Sequence, residues 1–280
     1  MFRLVLAAAA VLLAVPPAFA QQRPLVTEDP EPVGAGRLLL ESGIDLLHGQ
    51  RFPVSGLEGN MLRLPTLGVS VGISSIAELQ IDGGFYDRLS VKTRQTAPLS
   101  SLLTFSGTQT HDVSDIVVGT KVRLLGESES HPSLGVRFAT KLPNAGNESG
   151  LGLDTTDFFA SLLVAKNIQS LRLVGNAGFA ILGDPTSGNR QNDVLTYGLS
   201  VARAITDRAE VVSELNGRAN TRSGGALPGT ESRSTLRLGG RFTSGSVRVD
   251  AAAIVGLNNV GPTVGMTAGL TWVFSAFTVP

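Results

Sequence analysis

Thr267-Ala268-Gly269-Leu270-Thr271-Trp272-Val273-Phe274, close to the end of a chain of 280 residues, decides the fold. Val264, Met266, Ala268, Leu270, Trp272 and Phe274 share one parity; Thr263, Gly265, Thr267, Gly269 and Thr271 share the other. Side chains alternate faces along a strand, so the first set makes an apolar face and the second a small, polar one. The apolar face ends in two aromatic rings, which favour the boundary between membrane and water. A strand apolar towards lipid and polar towards a lumen is the unit of a transmembrane β-barrel. The last strand of a soluble sandwich carries the same alternation, so the rest of the chain has to choose between them.

Composition favours the barrel. There are 33 Gly and 16% charged residues, and small residues suit tight turns and crowded barrel interiors. The mean hydropathy of +0.19 is high for a soluble chain and low for a helical membrane protein. A barrel gives such an average because only alternate residues meet lipid. The formal net charge of +0 suggests no nucleic-acid partner. With 0 Cys there is no disulfide framework and no cysteine metal site.

The N-terminus sets the compartment. Met1-Phe2-Arg3 is a short basic start, and Leu4 to Val15 is an apolar run too short to span a bilayer as a helix. Ala18-Phe19-Ala20 is a small-x-small cleavage site ahead of Gln21-Gln22. Residues 1–20 therefore read as a secretory signal peptide cleaved near Ala20, and export together with the Gly-rich alternation and the terminal aromatic strand points to a Gram-negative-type outer membrane. Residues 21–35 hold Pro24, Pro30 and Pro32 and are expected to be an extended periplasmic lead-in. The barrel is expected over 36–274, followed by a short tail, 275–280.

Twelve alternating stretches follow the lead-in: 36–47, 61–73, 77–89, 113–126, 133–142, 155–166, 170–183, 194–205, 208–220, 232–242, 246–257, and a last one ending at Phe274. In the second, the apolar parity changes near Pro65-Thr66, as a bulge would cause. The connections mostly alternate long and short, as outer-membrane barrels require with short periplasmic turns and long outer loops. A sandwich gives no reason for that alternation. The expected fold is all-β: a transmembrane antiparallel up-and-down β-barrel of about twelve strands.

Charged residues on the expected strands fall on the polar parity. They include Asp115, Lys121 and Arg123, then Glu210, Glu214 and Arg218, then Arg233, Arg237 and Arg241, then Arg248 and Asp250. Arg at the lipid midplane costs roughly 2–4 kcal/mol, so these side chains should line the lumen. Two readings remain open: a positive stripe that orients anionic or polarisable solutes, or an ion-pair network that plugs a narrow barrel. The connection 90–112 has a polar start and end and an apolar middle. It could constrict the barrel, cap its mouth, or pack on neighbouring loops.

Other chemistry has little support. His48, His111 and His131 have no metal-ligand spacing, so no metal or cofactor is expected. His111 lies near Ser106 and Ser114 without an identifiable orienting partner, so catalysis is set aside. Gly224-Gly225-Ala226-Leu227-Pro228-Gly229 is a turn cluster rather than a phosphate cradle, because no helix follows it.

Three stretches resemble known patterns. Thr267, Gly269, Trp272 and Phe274 resemble the C-terminal signal by which outer-membrane barrels are recognised for insertion, although six residues follow Phe274. Arg23-Pro24-Leu25-Val26-Thr27-Glu28-Asp29-Pro30 resembles the mature N-terminus of proteins in the MetA-pathway phenol-degradation family, many of them labelled transporters. Asp115-Ile116-Val117-Val118-Gly119-Thr120-Lys121-Val122-Arg123-Leu124 resembles that family's Gly-Asp-x-x-x-Gly-x-Lys-x-Arg strand, with Ser114 where Gly is usual. The resemblance implies an outer-membrane barrel that passes small, often aromatic or hydrophobic compounds. The expected partners are outer-membrane lipid, the barrel assembly machinery acting on the last strand, and a small-molecule solute. The alternative is a non-transporting barrel used as an envelope scaffold or surface adhesin. If Phe274 is the terminal aromatic of the insertion signal, Phe274→Ala should lower the yield of heat-modifiable barrel far more than Phe277→Ala. The reverse order would place the signal elsewhere.

Overall fold

The computed structural model describes residues 23–279. The signal peptide read over 1–20 and its cleavage near Ala20 lie outside the described residues. The strands are β1 (Arg37–Phe52), β2 (Leu57–Gly72), β3 (Ala77–Gly84), β4 (Asp87–Arg94), β5 (Gln109–Asp112), β6 (Val117–Leu125) and β7 (Ser133–Lys141). There follow β8 (Asp157–Ile168), β9 (Leu171–Gly183), β10 (Gln191–Ala204), β11 (Ala209–Asn220), β12 (Arg233–Ser244), β13 (Val247–Gly256) and β14 (Val264–Ser275).

All pairings are antiparallel, most of them between neighbours in sequence, and β1 pairs with both β2 and β14, which closes the sheet. β2 pairs with β3 along one half and with β4 along the other. β6 and β5 continue the next staves against β3 and β4. β3 with β4, and β5 with β6, are therefore two long strands, each interrupted once. The result is a closed antiparallel barrel of 12 strands. The parity change near Pro65 is a bulge: β1 runs from Gly43 to Asp45 while β2 runs from Thr66 to Arg63.

The alternation read in the sequence is the alternation of the wall. On β14 Met266, Leu270 and Trp272 point outwards and are exposed, while Thr267, Thr271 and Val273 are buried inside. The Trp272 and Phe274 rings sit 4.3 Å apart on the outer face. Leu195, Leu199, Leu236, Leu238 and Phe242 continue the exposed apolar band on other strands. In water such a surface would be a large unburied apolar patch; against lipid it is the matched face. Connections at one end are tight, 169–170 and 245–246 among them. At the other end they are longer, including 95–108, 142–156 and 221–232.

The stretch 90–112 differs from its sequence reading at both ends. β4 runs on to Arg94 and β5 occupies Gln109–Asp112, so less of it is loop. The apolar middle is not a constriction at mid-height. Leu103 and Phe105 pack on the buried cluster Leu57, Met61 and Leu89, and Leu99 N–H donates to the Val54 carbonyl. It packs on neighbouring loops at the long-loop end. Its apolar residues cover the cluster that the extended ends of β2 and β4 would otherwise expose.

Residues 21–35 were expected to lie outside the barrel, and here the structure differs most from the sequence reading. From Arg23 to Val33 the chain runs inside the lumen, with Leu25, Thr27, Glu28, Asp29 and Val33 buried. Pro24, Pro30 and Pro32 do keep it extended, without a donor of their own. The remaining N–H groups find acceptors on the inner wall: Val26 and Thr27 donate to Glu214 (both 2.7 Å), Glu28 to Asn176 (2.7 Å) and Val33 to Glu78. A side-chain carboxylate that accepts from a backbone N–H stands in for a neighbouring strand. The C-terminal tail is also tied in, through Ala276 and Phe277 N–H donating to the Gly36 carbonyl.

Candidate functional site

The inner wall gathers its charges on a few strands. β6 and β7 place Lys121 and Arg137 directly opposite one another. Two cations in that position repel unless an anion lies between them. Glu28 of the lumen segment supplies it, 2.9 Å from Arg137 and 3.5 Å from Lys121. Lys121 is fully buried and is also 3.0 Å from Glu78. Asp29 takes both branches of the Arg172 guanidinium, at 2.7 and 2.9 Å. Glu31 pairs with Arg123 and accepts from Ser133 Oγ at 2.7 Å. The segment is thus an acidic strip laid on a basic wall.

Residues 23–30 and 115–124 therefore meet in space through Glu28 and Lys121, and Glu31, just beyond the first stretch, pairs with Arg123. Arg23 anchors the other end of the segment. Its guanidinium donates to Thr66 Oγ1 (3.1 Å), Thr267 Oγ1 (2.9 Å) and the Ala268 carbonyl (2.9 Å), and lies 3.6 Å from Asp250. Gly43 of β1 and Gly269 of β14 are paired across the closing seam, and a Cβ on either would run into the Arg23 side chain. Gly269, expected from sequence to belong to an insertion signal, is the seat of Arg23 in the structure.

Arg237 is 3.9 Å from Glu214 and donates to the Pro24 carbonyl at 2.8 Å. Arg241 and Arg248 share Glu210, at 3.8 and 3.9 Å. Asp115 accepts from Lys141 (3.1 Å) and from the N–H groups of Asn144 and Ala145. Arg218 donates to two backbone carbonyls, Glu231 (2.9 Å) and Gly229 (2.6 Å). The Arg233 side chain makes no hydrogen bond and no ion pair among the described residues, although its backbone pairs with Arg218 in the sheet. The three arginines of β12 are therefore not equivalent: Arg237 and Arg241 are paired, and Arg233 is not.

Sequence reasoning missed the acidic segment itself, with Glu28, Asp29 and Glu31, and Arg63, which lies 3.3 Å from Asp87. One signal was legible. Lys121, Arg123, Arg137 and Lys141 share the interior of two adjacent strands with few acids on the same face, so the missing carboxylates had to come from elsewhere.

Between the segment and the long loops lies a chamber of about 560 Å³. Val26, 47% exposed, is the part of the segment that faces it. Its walls mix apolar side chains, such as Phe159 and Ile254, with Arg63, Lys141, Arg218 and Arg233. That volume is in the range of small-ligand sites, and the lining has their usual mixture. Among the described residues no group of His, Asp and Glu is arranged to hold a metal ion. Ser114 Oγ donates to Asp87 (2.8 Å), and the His111 ring stacks near Tyr86 at 5.8 Å.

No family model matches the chain, and no curated protein matches it. Solved structures do. The chain is similar to an outer membrane channel from Pseudomonas putida F1, with 12% identity and a TM-score of 0.64 over 88% of this chain and 98% of that one. It is also similar to the NanC porin, with 10% identity and a TM-score of 0.52 over 84% of this chain and 98% of that one. The fold is that of outer-membrane β-barrels. The exclusion of catalysis made from sequence does not stand. The barrel fold by itself is compatible with a channel or an enzyme.

The geometry ranks the ion pairs. Removing one member of a fully buried pair costs about 3–5 kcal/mol, whereas an exposed pair contributes about 1 kcal/mol at most. Lys121→Met should therefore destabilise the barrel by about 3 kcal/mol. Arg51→Gln, in a pair whose side chains are 37% and 32% exposed, should change stability by less than about 1 kcal/mol. Urea unfolding in lipid vesicles measures both.

Proposed function

We propose that the protein is an outer-membrane channel for small, hydrophobic or aromatic compounds. The observation that carries this reading is the chamber: about 560 Å³, lined by apolar and charged side chains, with the lumen segment as its floor. A barrel used only as a scaffold has no need of a solute-sized cavity. The resemblance of residues 23–30 and 115–124 to the phenol-degradation family supports aromatic solutes. The similarity to a channel and a porin supports passage over simple anchoring.

The segment controls passage in this reading. Its carboxylates are held by Lys121, Arg137, Arg172 and Arg123, so the closed state is the resting one. Solute crosses when part of the segment shifts. The filled half of the lumen is the observation that favours the scaffold reading, and the two readings separate in one experiment. Purified protein in planar bilayers should show small, brief conductance steps. Asp29→Asn, which weakens the bidentate bond to Arg172, should lengthen the open time roughly tenfold, the effect of losing about 1.4 kcal/mol of closed-state stability. Silence from both proteins, together with no phenol entry into proteoliposomes, would leave the scaffold reading.

A further inference from the structure

Arg218 of β11 and Arg233 of β12 lie directly opposite each other on the interior face. They repeat the arrangement of Lys121 and Arg137 on β6 and β7. In the lower case Glu28 bridges the two cations. In the upper case no carboxylate lies within 4 Å of either arginine among the described residues. The acids that line the same chamber are engaged: Asp115 and Asp157 with Lys141, Asp45 and Asp87 with Arg63, and Glu231 as acceptor for Gly229 N–H. Like charges directly opposite on a sheet are unfavourable. Arg218 is nevertheless fixed there by two carbonyls, and Arg233 is exposed to the chamber.

We propose that Arg218 and Arg233 form a binding site for the carboxylate of a small amphipathic solute, an aromatic monocarboxylate in its simplest form. The site rests on the channel reading and names one class of solute within it. A carboxylate between the two guanidinium groups does there what Glu28 does lower in the barrel. A guanidinium presents a planar fork of donors that matches carboxylate oxygens. The body of the solute has apolar surface within reach in the same chamber. Leu153 and Val54 lie against Gly229, whose carbonyl holds Arg218, and Phe159 lines the wall. A solute that carries both features uses both halves of the site; a neutral ring or a bare inorganic anion uses one.

Calorimetric titration of the full-length, detergent-solubilised protein tests this directly, with benzoate, benzyl alcohol and sulfate as probes. Benzoate should bind more tightly than either of the others. Arg233→Gln should weaken benzoate roughly tenfold or more, the loss expected for a hydrogen bond to a charged group, and leave benzyl alcohol unchanged. Arg233→Lys keeps the charge and loses the fork, so it should fall between wild type and Arg233→Gln; it also serves if the glutamine variant does not give heat-modifiable barrel. Benzoate binding equal in all three proteins, or benzyl alcohol bound as tightly as benzoate, would overturn the site. Sulfate bound as tightly as benzoate would overturn the part assigned to the apolar walls. Because binding is read without any current, a protein that binds benzoate as expected and never conducts would sink the channel reading alone.

Discussion

The structure depends on one electrostatic constraint: cations on the inner wall of a barrel cannot be left without anions. Lys121 is fully buried opposite Arg137, and Arg172 and Arg123 stand near them at the short-turn end. The wall strands do not carry enough acids at that height to neutralise them. Glu78, Asp82 and Glu127 help, at 3.0 Å from Lys121, 3.7 Å from Arg137 and 2.6 Å from Arg172. The remainder come from Glu28, Asp29 and Glu31, on a segment that precedes the first strand. Desolvation of a charge costs several kcal/mol unless it is paired and hydrogen-bonded. That cost makes the segment a part of the barrel rather than an attachment to it.

The rest follows from where the segment lies. It fills the half of the lumen near the short turns and leaves the half near the long loops as a chamber. Arg23 fixes its far end over Gly43 and Gly269, on the seam where β1 meets β14, so the segment touches the first strand and the last. The seat of Arg23 exists only in a closed barrel. Cation pairs below the floor are bridged by the chain's own carboxylates, and the Arg218 and Arg233 pair above it is not. The same wall chemistry is thus closed by the chain's own carboxylates at one end and left unbridged at the other.

The sequence made the wall legible and hid its contents. Alternation at 264–274 was readable because each residue's environment is set by parity alone. The same holds for Glu210, Glu214, Arg233, Arg237 and Arg241, whose facing is a local property of β11 and β12. The bulge near Pro65 was readable from a change of parity. The path of residues 23–33 was not, because an extended Pro-containing stretch has no periodicity, and its partners lie as far away as Glu214 and Arg237. The interruptions that divide β3 from β4 and β5 from β6 were hidden for a related reason. Phe85 and Tyr86 continue the run of strand-forming residues, and the break is set by the neighbouring strands. Why Arg233 differs from Arg237 also rests on tertiary contacts: Arg237 is met by Glu214 and the Pro24 carbonyl, and Arg233 is met by neither.

Residues 23–33 hold their place inside the barrel through charge. A double-mutant cycle on Asp29 and Arg172 measures it most directly, with Asp29→Asn, Arg172→Gln and the double variant unfolded by urea in lipid vesicles. Both side chains are nearly buried, at 10% and 12% exposure, and the bond is bidentate. The expected coupling energy is about 2 kcal/mol, in the range of close, desolvated charge pairs. A coupling near zero, with the two single substitutions simply additive, would mean that the segment does not lie on the inner wall.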